Sequence, residues 1–157
     1  MAFLDDHYGG SLTRMLAQPT AKLRQELLGL NGVGPETADS ILLYAGQHPI
    51  FVVDAYTRRL LARHDILPEN APYEVIRKLC ERALARVAAP DSLPPLKIGK
   101  QQVLFSHRPS PMSLAKRSPV AQAYNDMHGL IVQIGKHYCL KSRPRCEQCP
   151  LQRFLPA

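Results

Sequence analysis

The chain shows no secretory leader: its first residues lack a basic segment, and nowhere does an apolar run approach the roughly eighteen residues of a membrane span. A cytoplasmic protein with no membrane partner is therefore expected. Cysteine is scarce, with four in 157 residues. In a reducing compartment such thiols are expected to ligate metal or lie buried rather than to pair as disulfides. Acidic residues are in deficit as well, 13 against 20 Lys and Arg, which leaves a net charge of +7 and a pI near 9.5. That balance suits a polyanionic partner. No internal repeat stands out, and a chain of 157 residues buries about two thirds of its unfolded surface, enough for one domain or two small lobes.

The informative stretch is Leu30-Asn31-Gly32-Val33-Gly34-Pro35-Glu36-Thr37-Ala38. The residues before it, Thr20 to Leu30, read as a helix, with Pro19 blocking backward extension, Thr20 as cap, and Leu23, Leu27 and Leu30 on one face. After it, Ala38, Ile41, Leu42 and Ala45 repeat the pattern up to Gly46. The unit is helix, hairpin, helix. Gly32 and Gly34 let the backbone turn with positive φ, and Pro35 starts a helix whose uncovered amides make a seat for an anion such as a phosphate. Two helices joined by a glycine turn also occur simply as a packing unit. Farther on, the apolar run Ile50 to Val53 ends in a lone carboxylate, Asp54, directly before a helical pattern from Ala55 to Arg63. Asp in that place is an ordinary N-cap, and an N-cap can hold a second role.

Leu30 to Gly34, followed after one helix by Val53-Asp54-Ala55-Tyr56, resembles the helix-hairpin-helix signature of the endonuclease III superfamily of DNA glycosylases, with Gly34 and Asp54 at the family's separation. Glu36 to Tyr44 and Val53 to Leu60 look most like the branch related to 3-methyladenine glycosylases. The resemblance implies an all-α fold: a partial helical barrel carrying the hairpin over residues 1–50, and a C-terminal helical lobe with an iron-sulfur-type cysteine loop over 51–157. It covers nearly the whole chain but only the later two thirds of the family's fold. No Leu-x-x-Gln-type stretch of the family's N-terminal helices is found, so the chain looks N-terminally truncated, and Met1 to Gly10 reads as the tail of a helix.

By the same resemblance, Asp54 is the catalytic carboxylate, and Gly32, Val33, Gly34, Glu36 and Thr37 form the DNA-binding hairpin. The partner is double-stranded DNA containing a damaged base, met by a monomer. Bifunctional members carry a lysine two residues after the second hairpin glycine, where it forms a Schiff base. This chain has Glu36, which implies a monofunctional glycosylase directed at alkylated purines. Oxidised pyrimidines are the alternative substrate, and a non-catalytic DNA-binding remnant is the alternative function. Tyr44 and Tyr56 are candidates for stacking on a flipped base.

Cys139, Cys146 and Cys149, spaced C-x6-C-x2-C, match the first three ligands of the family's 4Fe-4S loop, and Pro150 and Leu151 match its Cys-Pro-Leu ending, but the fourth position falls on Leu155. A complete cluster takes four thiolates. The three that remain leave open an incomplete or labile cluster, a cluster with a non-cysteine ligand, a Cys3His zinc site completed by His137, or a loop that keeps its shape without metal. Cys80 is a candidate fourth thiolate, but it shares an apolar helical face with Ile76, Ala83, Leu84 and Val87 and is read first as a buried thiol. In and beside the cysteine loop, Lys136, Lys141, Arg143 and Arg145 face only Glu147 in opposition, which suits successive phosphates. Arg58 and Arg59 either join them or face water. Between 89 and 119 six prolines and an excess of Lys and Arg interrupt the helical pattern, an irregular basic insertion. Helical patterning resumes from Val120 to His137, with Ala123, Met127, Leu130, Ile131 and Ile134 on the expected buried face.

Overall fold

In the computed structural model, residues 2–87 and 116–156 are described, and every regular element among them is helical. The basic insertion lies almost wholly outside the described residues. Helices α1 (Ala2–Tyr8) and α2 (Leu12–Leu16) are separated by Gly9 and Gly10, which end the first with positive φ. Helix α3 (Thr20–Leu28) buries Leu23 and Leu27 as the periodicity predicts. Its N-cap is Pro19, not Thr20. Thr20 is the first helical residue, and its hydroxyl turns sideways to His48 Nδ1 at 2.8 Å.

The hairpin follows, then α4 (Pro35–Ser40), which passes without a break into a π-helical segment at Ile41–Ala45. Leu42 and Leu43 of that segment are fully buried. The wider turn also brings Tyr44 onto α7 (Pro119–His137), and such π segments are frequent at functional sites. The extended run Ile50 to Val53 is threaded through the core, all four side chains buried, and delivers the chain to α5 (Ala55–Arg63). Helix α6 (Tyr73–Val87) and α7 close around it, α7 packing on both α5 and α6.

Helix α7 is rotated from the expected face: Ile131 is buried and Ile134 packs on the core as expected, but Met127 and Leu130 are not covered. Met127 and Leu130 are 38% and 63% exposed, while Ala121, Tyr124, His128, Ile131 and Gly135 are buried. The reason is close approach. A Cβ at Gly135 would stand 2.2 Å from Tyr56 Cδ1, so only glycine lets α5 and α7 come this near. That fixes the rotation of α7 and directs His128, one hydrophilic side chain on a buried face, at Asp54.

One hydrophobic core joins these elements, from Tyr8 and Met15 through Leu42 and Phe51 to Ile76, Tyr124 and Ile131. Within it lies a fully buried carboxylate, Asp39 of α4, gripped by Arg24 of α3 at 2.6 and 3.1 Å and by the Tyr73 hydroxyl at 2.9 Å. Arg24 also reaches Glu74 at 2.6 Å, which Arg77 holds in turn. The same Tyr73 hydroxyl accepts the Val53 amide at 3.3 Å. The hairpin helix and the segment leading to Asp54 thus share one rigid polar anchor.

Candidate active site and DNA interface

Of the two hairpin glycines, Gly32 takes positive φ (+83°), and Gly34 does not: at φ −87°, ψ 175° it is ordinary extended backbone. The turn closes with a bond from the Val33 amide to the Leu30 carbonyl at 3.1 Å. Leu30 and Val33 pack on the core while Gly32, Gly34, Glu36 and Thr37 are exposed, so the hairpin is anchored by its apolar residues and offers its backbone outward. Gly34 is the N-cap of α4 and has no side chain to cap it. The first amides of the helix are left to an outside acceptor, with the positive end of the helix dipole behind them. A Cβ at Gly34 would meet nothing within 4 Å. The fold itself does not require glycine there, whereas a ligand that lies close to the backbone would.

Asp54 is both N-cap and candidate catalyst. Its Oδ1 accepts from the Thr57 amide at 2.7 Å and the Thr57 hydroxyl at 2.9 Å. Oδ2 lies 3.4 Å from His128 Nε2, close enough for charge interaction but off hydrogen-bond alignment. The two side chains are 13% and 10% exposed. Burial opposes ionisation of Asp54, yet the adjacent His128 ring and the two Thr57 donors outweigh it and hold the carboxyl below its ordinary range. At neutral pH it is a carboxylate.

Behind it, the Tyr44 hydroxyl and His128 Nδ1 are hydrogen-bonded. Burial, reinforced by the Asp54 charge, pushes the Tyr44 phenol up to about 12, so it keeps its proton. A phenol that donates to Nδ1 leaves the ring hydrogen on Nε2, on the side that faces Asp54. The line Tyr44, His128, Asp54 runs from the π-helical segment through α7 to the start of α5. Sequence patterning missed His128 because an apolar period counts only hydrophobic residues. Tyr44 belongs to this line, and Tyr56 is packed against Gly135 with Arg59 over its ring at 5.1 Å.

The cations beside Asp54 are used internally. Arg58 donates to the Ala71 carbonyl at 2.7 Å, and Arg59 to the Cys139 carbonyl at 2.7 Å. They brace the loops around α5. Lys136, Lys141, Arg143 and Arg145 are exposed, as a phosphate contact requires.

Cys139, Cys146 and Cys149 line one cavity of about 20 Å³, with Leu155 beside them. A four-iron cluster needs four thiolates. Three thiols, a leucine and room for about one water-sized body do not fit it. Neither Cys80, on α6 at the edge of the core with its thiol pushed up to about 11 by burial, nor the exposed His137 lines this cavity.

No protein-family model matches the chain. Among curated proteins it is 35% identical over 155 residues to "Putative DNA repair glycosylase MJ1434" of Methanocaldococcus jannaschii, covering 97% of this chain and 54% of that protein. Two Arabidopsis thaliana proteins are more distant. The "Transcriptional activator DEMETER" is 26% identical over 148 residues, which is 94% of this chain and 6% of that protein. The "DNA glycosylase/AP lyase ROS1" is 24% identical over 150 residues, 95% of this chain and 9% of that protein. The chain thus spans about half the length of the first relative and under a tenth of the two plant proteins.

Proposed function

We propose that the chain, which is similar to a DNA repair glycosylase and to a DNA glycosylase/AP lyase, forms the carboxylate-bearing, DNA-gripping part of a base-excision glycosylase of the endonuclease III type. The observation that carries the reading is Asp54: an ionised, largely buried carboxylate with Oδ1 tied to Thr57 and Oδ2 free of any well-aligned donor. Breaking an N-glycosidic bond places positive charge on the deoxyribose as the base leaves with the bonding electrons. A fixed carboxylate in a water-poor site stabilises that charge. Oδ2 then orients a water, whose oxygen bonds to C1′ while its proton passes to the carboxylate. His128 and Tyr44 hold the carboxylate in place from behind.

The hairpin amides at Gly34 and the first turn of α4 take a phosphate, and Lys141, Arg143 and Arg145 take others along the same double-stranded DNA. Glu36 stands where a bifunctional relative would carry a lysine, and a carboxylate forms no imine. The reaction is therefore hydrolytic and monofunctional. Resemblance to the 3-methyladenine branch points to alkylated purines, whose weakened glycosidic bonds need modest assistance. We read the acting protein as a monomer of the cytoplasm. Among the described residues no helix is long and apolar enough to cross a membrane.

The test is a single-turnover assay of the full-length protein on duplexes carrying 3-methyladenine or an oxidised pyrimidine, with borohydride added in parallel. Release of the alkylated base without a covalent protein-DNA adduct is expected. Efficient borohydride trapping would overturn the monofunctional assignment, and release of the oxidised pyrimidine alone would overturn the substrate class.

A further inference from the structure

The run Ile50 to Val53 is extended and buried, yet among the described residues it has no neighbouring strand. Its amides need acceptors within the core, because a buried N–H without one costs free energy comparable to a lost hydrogen bond. Helix α6 supplies them from side chains. Glu81 Oε1 accepts the Phe51 amide at 3.1 Å, and the Tyr73 hydroxyl accepts the Val53 amide at 3.3 Å. Val53 is the residue directly before Asp54.

Both acceptors are themselves held. Burial, and after it the Asp39 charge, pushes the Tyr73 phenol up, so it keeps its proton and donates it to Asp39 Oδ2 at 2.9 Å. Arg77 donates to the same Glu81 oxygen at 2.7 Å and meets Glu74 at 2.7 Å, while Glu74 meets Arg24 at 2.6 Å. Arg24 closes the circuit on Asp39. Asp39 lies in α4, the helix that follows the hairpin. One polar circuit therefore joins the hairpin unit, α6 and the backbone that ends in Asp54.

We propose that Tyr73 and Glu81 are positioning residues for base release, and that their bonds to Val53 and Phe51 set where Asp54 stands relative to the hairpin. This rests on the reading of Asp54 as the reacting carboxylate. A reacting group has to be held within about 0.5 Å of its productive position by neighbours that are locked in turn. Packing encloses the four apolar side chains of the run, and the two bonds fix its backbone register against α6.

The experiment measures single-turnover base release by the full-length protein on duplexes carrying 3-methyladenine or an oxidised pyrimidine, with affinity for an unmodified duplex and thermal melting alongside. Tyr73→Phe keeps the ring and loses only the hydroxyl. It should release base about 10- to 100-fold more slowly, the scale of a displacement of about 1 Å, with duplex affinity kept. Added to Asp54→Asn, the same substitution should slow release no further, because a residue that acts through Asp54 then has nothing left to position. A merely structural role would slow both backgrounds. Glu81 gives a second measure should Tyr73→Phe fail to fold. Glu81→Gln retains an oxygen for the Phe51 amide and loses the charge opposite Arg77, so it should act faster than Glu81→Leu, which loses both. The inference is overturned by Tyr73→Phe at the unaltered rate, by equal slowing in both backgrounds, or by Glu81→Gln no faster than Glu81→Leu. Asp54→Asn at the unaltered rate, or no release by the unaltered protein, would instead overturn the reading of the site. A slow Asp54→Asn beside an unslowed Tyr73→Phe overturns this inference alone.

Discussion

Asp54 Oδ1 accepts both Thr57 donors at the start of α5, which leaves Oδ2 for chemistry, and substitutions can separate the two. Asparagine caps a helix as well as aspartate does, whereas alanine at a cap costs about 0.5–2 kcal/mol. Asp54→Asn should therefore melt near the unaltered protein yet release base roughly 10²- to 10⁴-fold more slowly, the usual loss for a positioned acid-base group. Asp54→Ala should lose both properties. Base release by Asp54→Asn at the unaltered rate would reduce Asp54 to a cap. The pH dependence follows from the same contacts. The folded-state pKa is lowered, so Asp54 contributes stability above its unfolded value of about 3.9, and this is lost as pH falls through the folded value. Below about pH 4 the unaltered protein should accordingly lose stability in urea melts that Asp54→Asn, with nothing to protonate there, retains.

At the scale of elements, the hairpin is legible because glycine, proline and a leucine period mark a turn by local chemistry alone. Composition suggests positive φ at both glycines, and only one takes it. Gly32 at +83° needs glycine for the fold, and extended Gly34, with open space where its Cβ would be, does not. Gly32→Ala should therefore destabilise the protein by about 1–2 kcal/mol through left-handed strain. Gly34→Ala adds no backbone strain and should lose only the modest difference between glycine and alanine as N-caps, yet weaken duplex binding, measured by anisotropy. Equal affinity for Gly34→Ala would remove the hairpin from the interface. Helix α7 is legible in extent but not in rotation. Its apolar period counts Met127 and Leu130, which lie outside, while the true face is set by Gly135 meeting Tyr56 and by His128 meeting Tyr44 and Asp54. Those are pairings between elements, and periodicity within one helix carries no trace of them.

Across the whole molecule, what the sequence conceals is long-range polar pairing. Asp39 is separated from Arg24 by 15 positions and from Tyr73 by 34, and it occupies a helical position that hydrophobic patterning leaves uncounted. The excess positive charge is legible, but not which cations are free to act on a partner. Arg58 and Arg59, adjacent to Asp54 in the chain, are committed to backbone carbonyls, whereas Lys141, Arg143 and Arg145 are exposed. DNA affinity should therefore be independent of sequence context and fall steeply with salt, because each phosphate neutralised by a cation releases condensed counterions. Replacing Lys141, Arg143 and Arg145 together by glutamine should flatten the plot of log K against log salt by about 0.9 for each phosphate that is no longer neutralised. Arg58→Gln should disturb loop packing and leave the slope unchanged. Gly34→Ala should lower affinity with little change in slope, since amides carry no net charge to exchange for counterions. A triple variant with the original slope would show that the cysteine-loop cations do not meet phosphate, and would transfer the electrostatic contact to the basic segment between 89 and 119.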